Sequence, residues 1–155
     1  DPESDEATAV RLIEGQLARF AALRGAPPTH LDSHKHAHAQ SAVLAAIAKV
    51  ARARNLPVRA LGKAMRRTLR AAGIRTTDHF LGDASQRPCW TPERLEAAVR
   101  ALESGVTEIM CHPGYLPRVA KTAFAKEREV ELAAVCAEAV RGASKDLALV
   151  HFGAL

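Results

Sequence analysis

Four of the seven histidines in this chain, with one aspartate, fall between His30 and His38, in the run Thr29-His30-Leu31-Asp32-Ser33-His34-Lys35-His36-Ala37-His38. Imidazole is the commonest protein ligand for metals and the one side chain that titrates near neutrality unaided. So dense a cluster points to a metal site, a proton-transfer site, or both. Two backbone conformations would serve it. In an extended chain His30, Asp32, His34, His36 and His38 share one face, with Leu31, Ser33, Lys35 and Ala37 on the other. If a strand ends near Asp32 and a helical turn follows, His34 and His38 become i, i+4 neighbours, a spacing that also suits a metal. Either way several imidazoles come within reach of one ion, and Asp32 is placed to orient a histidine tautomer from behind.

A second candidate, His112, closes the segment Glu108-Ile109-Met110-Cys111-His112-Pro113-Gly114. Pro113 and Gly114 make a rigid turn that fixes an imidazole at the end of a strand and lets backbone approach closely. In an extended strand Glu108, Met110 and His112 share a face, which makes Glu108 a candidate buried partner, while Cys111 points into the core. His79, in Thr77-Asp78-His79-Phe80, is a weaker candidate for the rim of a site. Cys89 and Trp90 read as loop residues without an assigned role, and His151 reads as structural.

These residues need elements to carry them. Leu12, Ile13, Leu17, Phe20 and Leu23 recur at helical spacing, with Ser4 or Asp5 as the cap and Gly25 as the stop. A short strand is expected over 30–33, a helix over 42–53, a strand over 57–61, and a basic helix over 65–72 closed by Gly73. A further strand is expected over 75–81 with a turn at Gly82-Asp83. Thr91-Pro92-Glu93 is a strong helix start, since Thr caps, Pro fits the first turn and acids face the dipole; that helix is expected to end near Gly105. A strand over 106–111, a helix over 126–140 and a strand over 147–152 complete the chain. Helix and strand alternate, which implies βα units and a parallel sheet. Active sites in such folds gather at the carboxyl ends of the strands. The histidine run and His112 both follow strands, so both are expected on one rim.

Bulk properties narrow the class. The chain has 155 residues, 48% hydrophobic and 25% charged, which suits a globular domain rather than a disordered one. No apolar stretch is long enough to span a membrane. Three cysteines without a CxxC pair fit a reducing cytoplasm better than a disulfide framework. The net charge of +5 is concentrated between Arg52 and Arg75, where eight basic residues occur with no acid among them. That stretch would suit an anion or a nucleic acid, or simply the solvated faces of helices. Aromatic residues make up 4%, too few for the stacking platform of a single-strand binder, so no nucleic-acid partner is expected.

The pair Thr29–His38 and Thr107–Gly114, in this order, resembles the YdjC-like family of carbohydrate deacetylases, whose branches include chitooligosaccharide deacetylases and a hopanoid-biosynthesis group. Pro27-Pro28, Thr77–Phe80 and Arg128-Glu129-Val130-Glu131-Leu132 add to the likeness. The resemblance implies an α/β fold, a TIM-like irregular β/α barrel, of which this chain would be a single-domain, carboxyl-terminal portion. It implies a divalent metal, magnesium before zinc, and removal of an N-acetyl group from an amino sugar. It matches the family's metal histidine to His34 and its active-site histidine to His112. His30, Asp32, His36, His38 and Glu108 would line or brace the site, and relatives of this kind imply a homodimer. Lys35 departs from the family's usual histidine at that position. The family's amino-terminal pair of aspartates and its early metal histidine have no counterpart in this sequence, and a barrel of this type needs roughly 250 residues. Two rivals remain open at this level. One is another barrel-type metal hydrolase, such as an amidohydrolase or phosphoesterase. The other is a non-enzymatic basic module that binds nucleic acid through residues 52–75.

Overall fold

In a computed structural model of the chain, residues 2–82, 86–119 and 122–155 are described. They form a helix-rich mixed α/β structure whose strand pairings are parallel among the described residues. The chain divides into two compact units, one running through Asp78 and including Val150–Leu155, the other His79–Leu149.

The first unit packs three helices, α1 (Pro2–Arg24), α2 (Ser41–Arg54) and α3 (Lys63–Ala71), around one apolar cluster. In α2 the buried residues Ala46, Ile47, Val50 and Ala51 recur at helical spacing, so one stripe faces inward. In α1 the expected stripe is only half used: Leu17 is buried and Ile13 partly so, whereas Leu12, Phe20 and Leu23 are exposed. Because α1 starts at Pro2, Ser4 and Asp5 lie inside the helix instead of capping it. Gly25, at φ 69°, ends it as expected. Asn55 takes the same left-handed conformation after α2, and Gly73 after α3.

The two strands expected early in the chain shrink to a single parallel bridge, Leu31 with Val58. The Leu31 amide donates to Pro57, Arg59 donates back to Leu31, and Val58 donates to Arg75. Pro57 has no N–H to lengthen the ladder, and the chain turns away after Ser33. The apolar run expected to be a strand at 147–152 pairs with nothing among the described residues. Leu149 and Val150 are exposed, and a 3-10 turn, Phe152–Ala154, follows.

The second unit holds β1 (His79–Leu81), α4 (Pro92–Arg100), β2 (Thr107–Ile109), α5 (Glu127–Cys136) and α6 (Glu138–Ser144). β1 and β2 run parallel, with His79 opposite Thr107, Phe80 opposite Glu108 and Leu81 opposite Ile109, so α4 is the crossover between them. The α4 start is as expected: the Arg94 amide donates to Thr91 Oγ1 at 3.3 Å and Pro92 occupies the first turn. The helix stops at Arg100, short of Gly105. Both strands are three residues long, shorter than their apolar runs. The single helix expected over 126–140 is interrupted at Ala137, whose ψ of 137° is extended. No breaker residue stands there. The interruption re-aims the chain so that Val140 enters the cluster formed by Cys89, Trp90, Leu95, Val99, Phe124 and Ala134. Gly82 adopts φ 111°, as a turn requires, while Asp83 lies outside the described residues. No described helix is long and apolar enough to cross a membrane.

Candidate functional site

His112 lies three residues beyond the carboxyl end of β2, and the chain is pinned on the way to it. The Met110 amide donates to Leu81 at 2.8 Å, and the Met110 carbonyl accepts from the Trp90 indole at 2.8 Å. Gly82 sits so close that a Cβ there would fall 3.0 Å from Met110 Cβ and closer still to the Met110 oxygen. Trp90 and Cys89, to which the sequence pattern assigns no role, are therefore buried parts of this scaffold.

Glu131 of α5 is an acid that meets His112. Glu131 is fully buried. One carboxylate oxygen accepts the Cys89 amide at 2.8 Å, and the other accepts the His112 amide at 2.6 Å and lies 3.8 Å from His112 Nδ1. The His112 side chain stays 33% exposed, and its ring leans on Phe124 at 4.6 Å between centroids, with the Arg87 guanidinium 5.0 Å above that phenyl ring. The next residues are also tied to α5 and the turn before it: Gly114 donates to the Arg128 carbonyl and Leu116 donates to Glu129 Oε1. Burial pushes the Cys111 thiol above its ordinary range, and the Glu131 charge adds to this. Glu108 sits in β2 opposite Phe80. β2 ends at Ile109, three residues short of His112. Sequence pattern alone does not single out Glu131, because it is one of three glutamates, with Glu127 and Glu129, that read alike as solvated acids near a helix start; its place in the Arg128–Leu132 likeness was the available signal.

His79 falls at the amino end of β1, with Nε2 3.2 Å from the Ser104 carbonyl oxygen. Since β1 and β2 are parallel, that is the end opposite to His112. His79 is therefore not a rim residue beside it. His151 accepts the Gly153 amide through Nδ1, a local structural role.

The histidine run belongs to the first unit and adopts neither expected conformation. After Leu31 the chain enters a 3-10 segment, His34–Ala39, interrupted by Lys35 at φ 51° and His36 at φ 55°. Two successive non-glycine residues in the left-handed region destroy both the strand alternation and the regular i, i+4 spacing. The result sorts the side chains. His38 is fully buried, with Nδ1 2.5 Å from Ser33 Oγ and its amide donating to the same oxygen at 3.0 Å. Burial holds the His38 imidazole below its ordinary pKa, opposed by the Asp32 charge and the Arg59 backbone. His36 is half-buried, its ring edge-on to His38 at 6.1 Å between centroids. His30 stacks on Phe152 at 4.2 Å, with Nδ1 3.0 Å from Thr29 Oγ1. Asp32 forms an ion pair with Arg59 and also accepts the Ser33 amide. His34 remains exposed.

This arrangement bears on metal binding. Among the described residues no group of three or more His, Cys, Asp or Glu side chains is placed to hold an ion. Asp32 is engaged by Arg59, and Ser33 holds His38 at Nδ1 while His38 Nε2 is buried without a hydrogen-bond partner among the described residues; His36 and His38 come together, but the other imidazoles of the run do not join them. The described donors do not fit a complete cation site. In the basic stretch Arg54, Arg59 and Arg70 are ion-paired to Glu14, Asp32 and Asp78, and Arg75 donates to the Asn55 and Leu155 carbonyls.

Comparison with known proteins gives a consistent result. The family model for YdjC-like proteins matches residues 3–146. A chitooligosaccharide deacetylase of Serratia marcescens is 33% identical over 135 residues, covering 84% of this chain and 53% of its own. A carbohydrate deacetylase of Thermoanaerobacter pseudethanolicus is 35% identical over 125 residues, covering 77% of this chain and 47% of its own. This chain thus spans about half the length of the curated relatives it matches. A solved structure from Enterococcus faecalis V583, described as that of a candidate cellobiose-phosphate cleavage protein, superposes with a TM-score of 0.78 at 21% identity, over 91% of this chain and 57% of that one. That likeness is one of fold. With nearly its whole length matched by the family model, and the His34 and His112 segments within the match, the chain belongs to the YdjC-like protein family.

Proposed function

We propose that this chain carries part of a carbohydrate deacetylase, which hydrolyses the N-acetyl group of an amino sugar. The observation that carries the reading is His112: a part-exposed imidazole past the end of a strand, its main chain anchored to a buried carboxylate. The likeness to a chitooligosaccharide deacetylase and a carbohydrate deacetylase supports the substrate class.

Amide hydrolysis requires a proton for the departing amine and a counter-charge for the tetrahedral oxyanion. His112 serves one of these needs, since its imidazole reaches solvent while its backbone cannot drift. In the histidine run His34 is the exposed imidazole and the proposed ligand of a divalent ion, magnesium before zinc, which would supply carbonyl polarisation and a more acidic water. The described donors complete no such site, so the steps assigned to this chain rest on its own side chains. His30, Asp32, His36 and His38 brace the His34 segment, and Glu108 belongs to the strand that presents His112. The same proposal extends to a TIM-like β/α barrel as the architecture of the intact enzyme, with this chain as its carboxyl-terminal portion, and to a cytoplasmic homodimer.

The test is acetate release from N-acetylated chitooligosaccharides, with metal content measured in parallel. His112→Ala should abolish release and leave metal content unchanged, whereas His34→Ala should lower metal content. Equal activity in parent, His112→Ala and His34→Ala proteins overturns the assignment. Phosphate release from phosphoesters, without acetate release, would favour the rival hydrolase.

A further inference from the structure

We infer that Glu131 is a positioning residue for His112, and that its buried carboxylate sets where the imidazole stands. The inference rests on the deacetylase reading in giving His112 a share in catalysis, but the geometry that supports it does not. Pairing between β1 and β2 ends with the Met110 amide on Leu81. Beyond that point the His112 amide is held by α5 instead: it donates to Glu131 Oε2 at 2.6 Å. The second oxygen of the same carboxylate takes the Cys89 amide at 2.8 Å. One buried side chain thus joins three segments that are remote in sequence: the loop before α4, the turn after β2, and α5 itself.

A carboxylate is the group this junction needs. Its two oxygens both accept, and both main-chain groups that face it are donors. A glutamine of the same shape has one acceptor and one NH2, so it must set a donor against one of the two amides. The oxygen that holds the His112 amide also lies 3.8 Å from His112 Nδ1, which is buried and has no hydrogen-bond partner among the described residues. A small rotation of the ring would bring that pair into contact. Glu131 therefore holds the main chain of His112 and stands one ring rotation away from its Nδ1, without reaching the exposed part of the side chain where a substrate would be met.

The experiment compares the parent chain, Glu131→Gln and His112→Ala by acetate-release kinetics and by NMR. Glu131→Gln should lower kcat about tenfold or more and leave KM within about threefold, because a displaced catalytic group costs rate rather than binding. A merely structural role would lower the melting temperature and leave both constants alone in the folded fraction. If His112→Ala is inactive while Glu131→Gln keeps the parent kcat, the inference falls and the deacetylase reading stands. If the parent and His112→Ala show the same activity, that reading falls, and the NMR arm decides the inference alone. There, the parent should show a scalar coupling across the hydrogen bond from the His112 amide to the Glu131 carboxyl carbon. Glu131→Gln should shift the His112 ring resonances while leaving the Leu69 methyls of the first unit in place. The coupling is read in the parent protein, so a variant that fails to fold does not remove the test. Its absence, or unshifted His112 ring resonances in a folded Glu131→Gln, overturns the inference.

Discussion

Replacing Gly82 with alanine should destabilise the second unit by about 4 kcal/mol, from two separable causes. The first is conformational: Gly82 has φ 111°, a region that costs an L residue roughly 1–3 kcal/mol. The second is steric. A Cβ would press on the Met110 carbonyl, which cannot retreat because it accepts the Trp90 indole at 2.8 Å while the Met110 amide is bonded to Leu81. Overpacking against such a fixed group adds roughly 1–3 kcal/mol. Gly73 supplies the control. It has φ 74°, but a methyl carbon added there would meet nothing within 4 Å, so Gly73→Ala carries the conformational cost alone, roughly 1–2 kcal/mol. Urea denaturation by circular dichroism would measure both variants. For Gly82→Ala the chain's one tryptophan offers a second probe, since Trp90 is buried and bonded to the very carbonyl under pressure. A cost below about 1 kcal/mol, or one no larger than that of Gly73→Ala, would show that the close approach of Gly82 to β2 does not constrain the approach to His112.

Three further outcomes are expected. Thr91→Ala removes the side-chain acceptor for the Arg94 amide and should cost about 1 kcal/mol by the same urea titration, while Thr91→Ser should cost much less. His38 is buried with its pKa lowered, so the unfolded chain binds its proton more readily than the folded one. The stability held above the ordinary histidine value near 6.5 should therefore fall as pH drops through it, and His38→Gln should flatten the urea-midpoint profile between about pH 7.5 and 5.5; an unchanged slope counts against the burial argument. The thiols should react with Ellman's reagent in the order Cys136, which is exposed, then Cys111, whose thiol is pushed up by burial and Glu131, then buried Cys89, whose modification should require unfolding.

Much of the fold was legible from local chemistry. The stop at Gly25, the body of α2, the close of α3 at Gly73 and the Thr91-Pro92 start of α4 all follow from residues acting within one turn of themselves. The ladders were legible only as tendencies. Segments 30–33, 57–61 and 147–152 were expected as strands, but a strand exists only where a partner supplies donors and acceptors, and those partners are few among the described residues. The break at Ala137 had no local signal at all, because it answers the demand of Val140 for burial in the second core.

The candidate site divides along the same line. Residue type and spacing were enough to single out His34, His38 and His112, because few side chains can bind a cation or move a proton near neutrality. They were not enough to say which imidazole would be free to work. Left-handed backbone at Lys35 and His36 turned His38 into the core and left His34 in solvent, against the alternation that spacing implied. An acid beside His112 came from α5, a helix brought to the strand end by packing, while the nearer Glu108 stayed in its strand. Chemistry of single residues is written in the chain and can be read one turn at a time. Which groups meet depends on buried contacts between segments distant in sequence, and no local pattern encodes those.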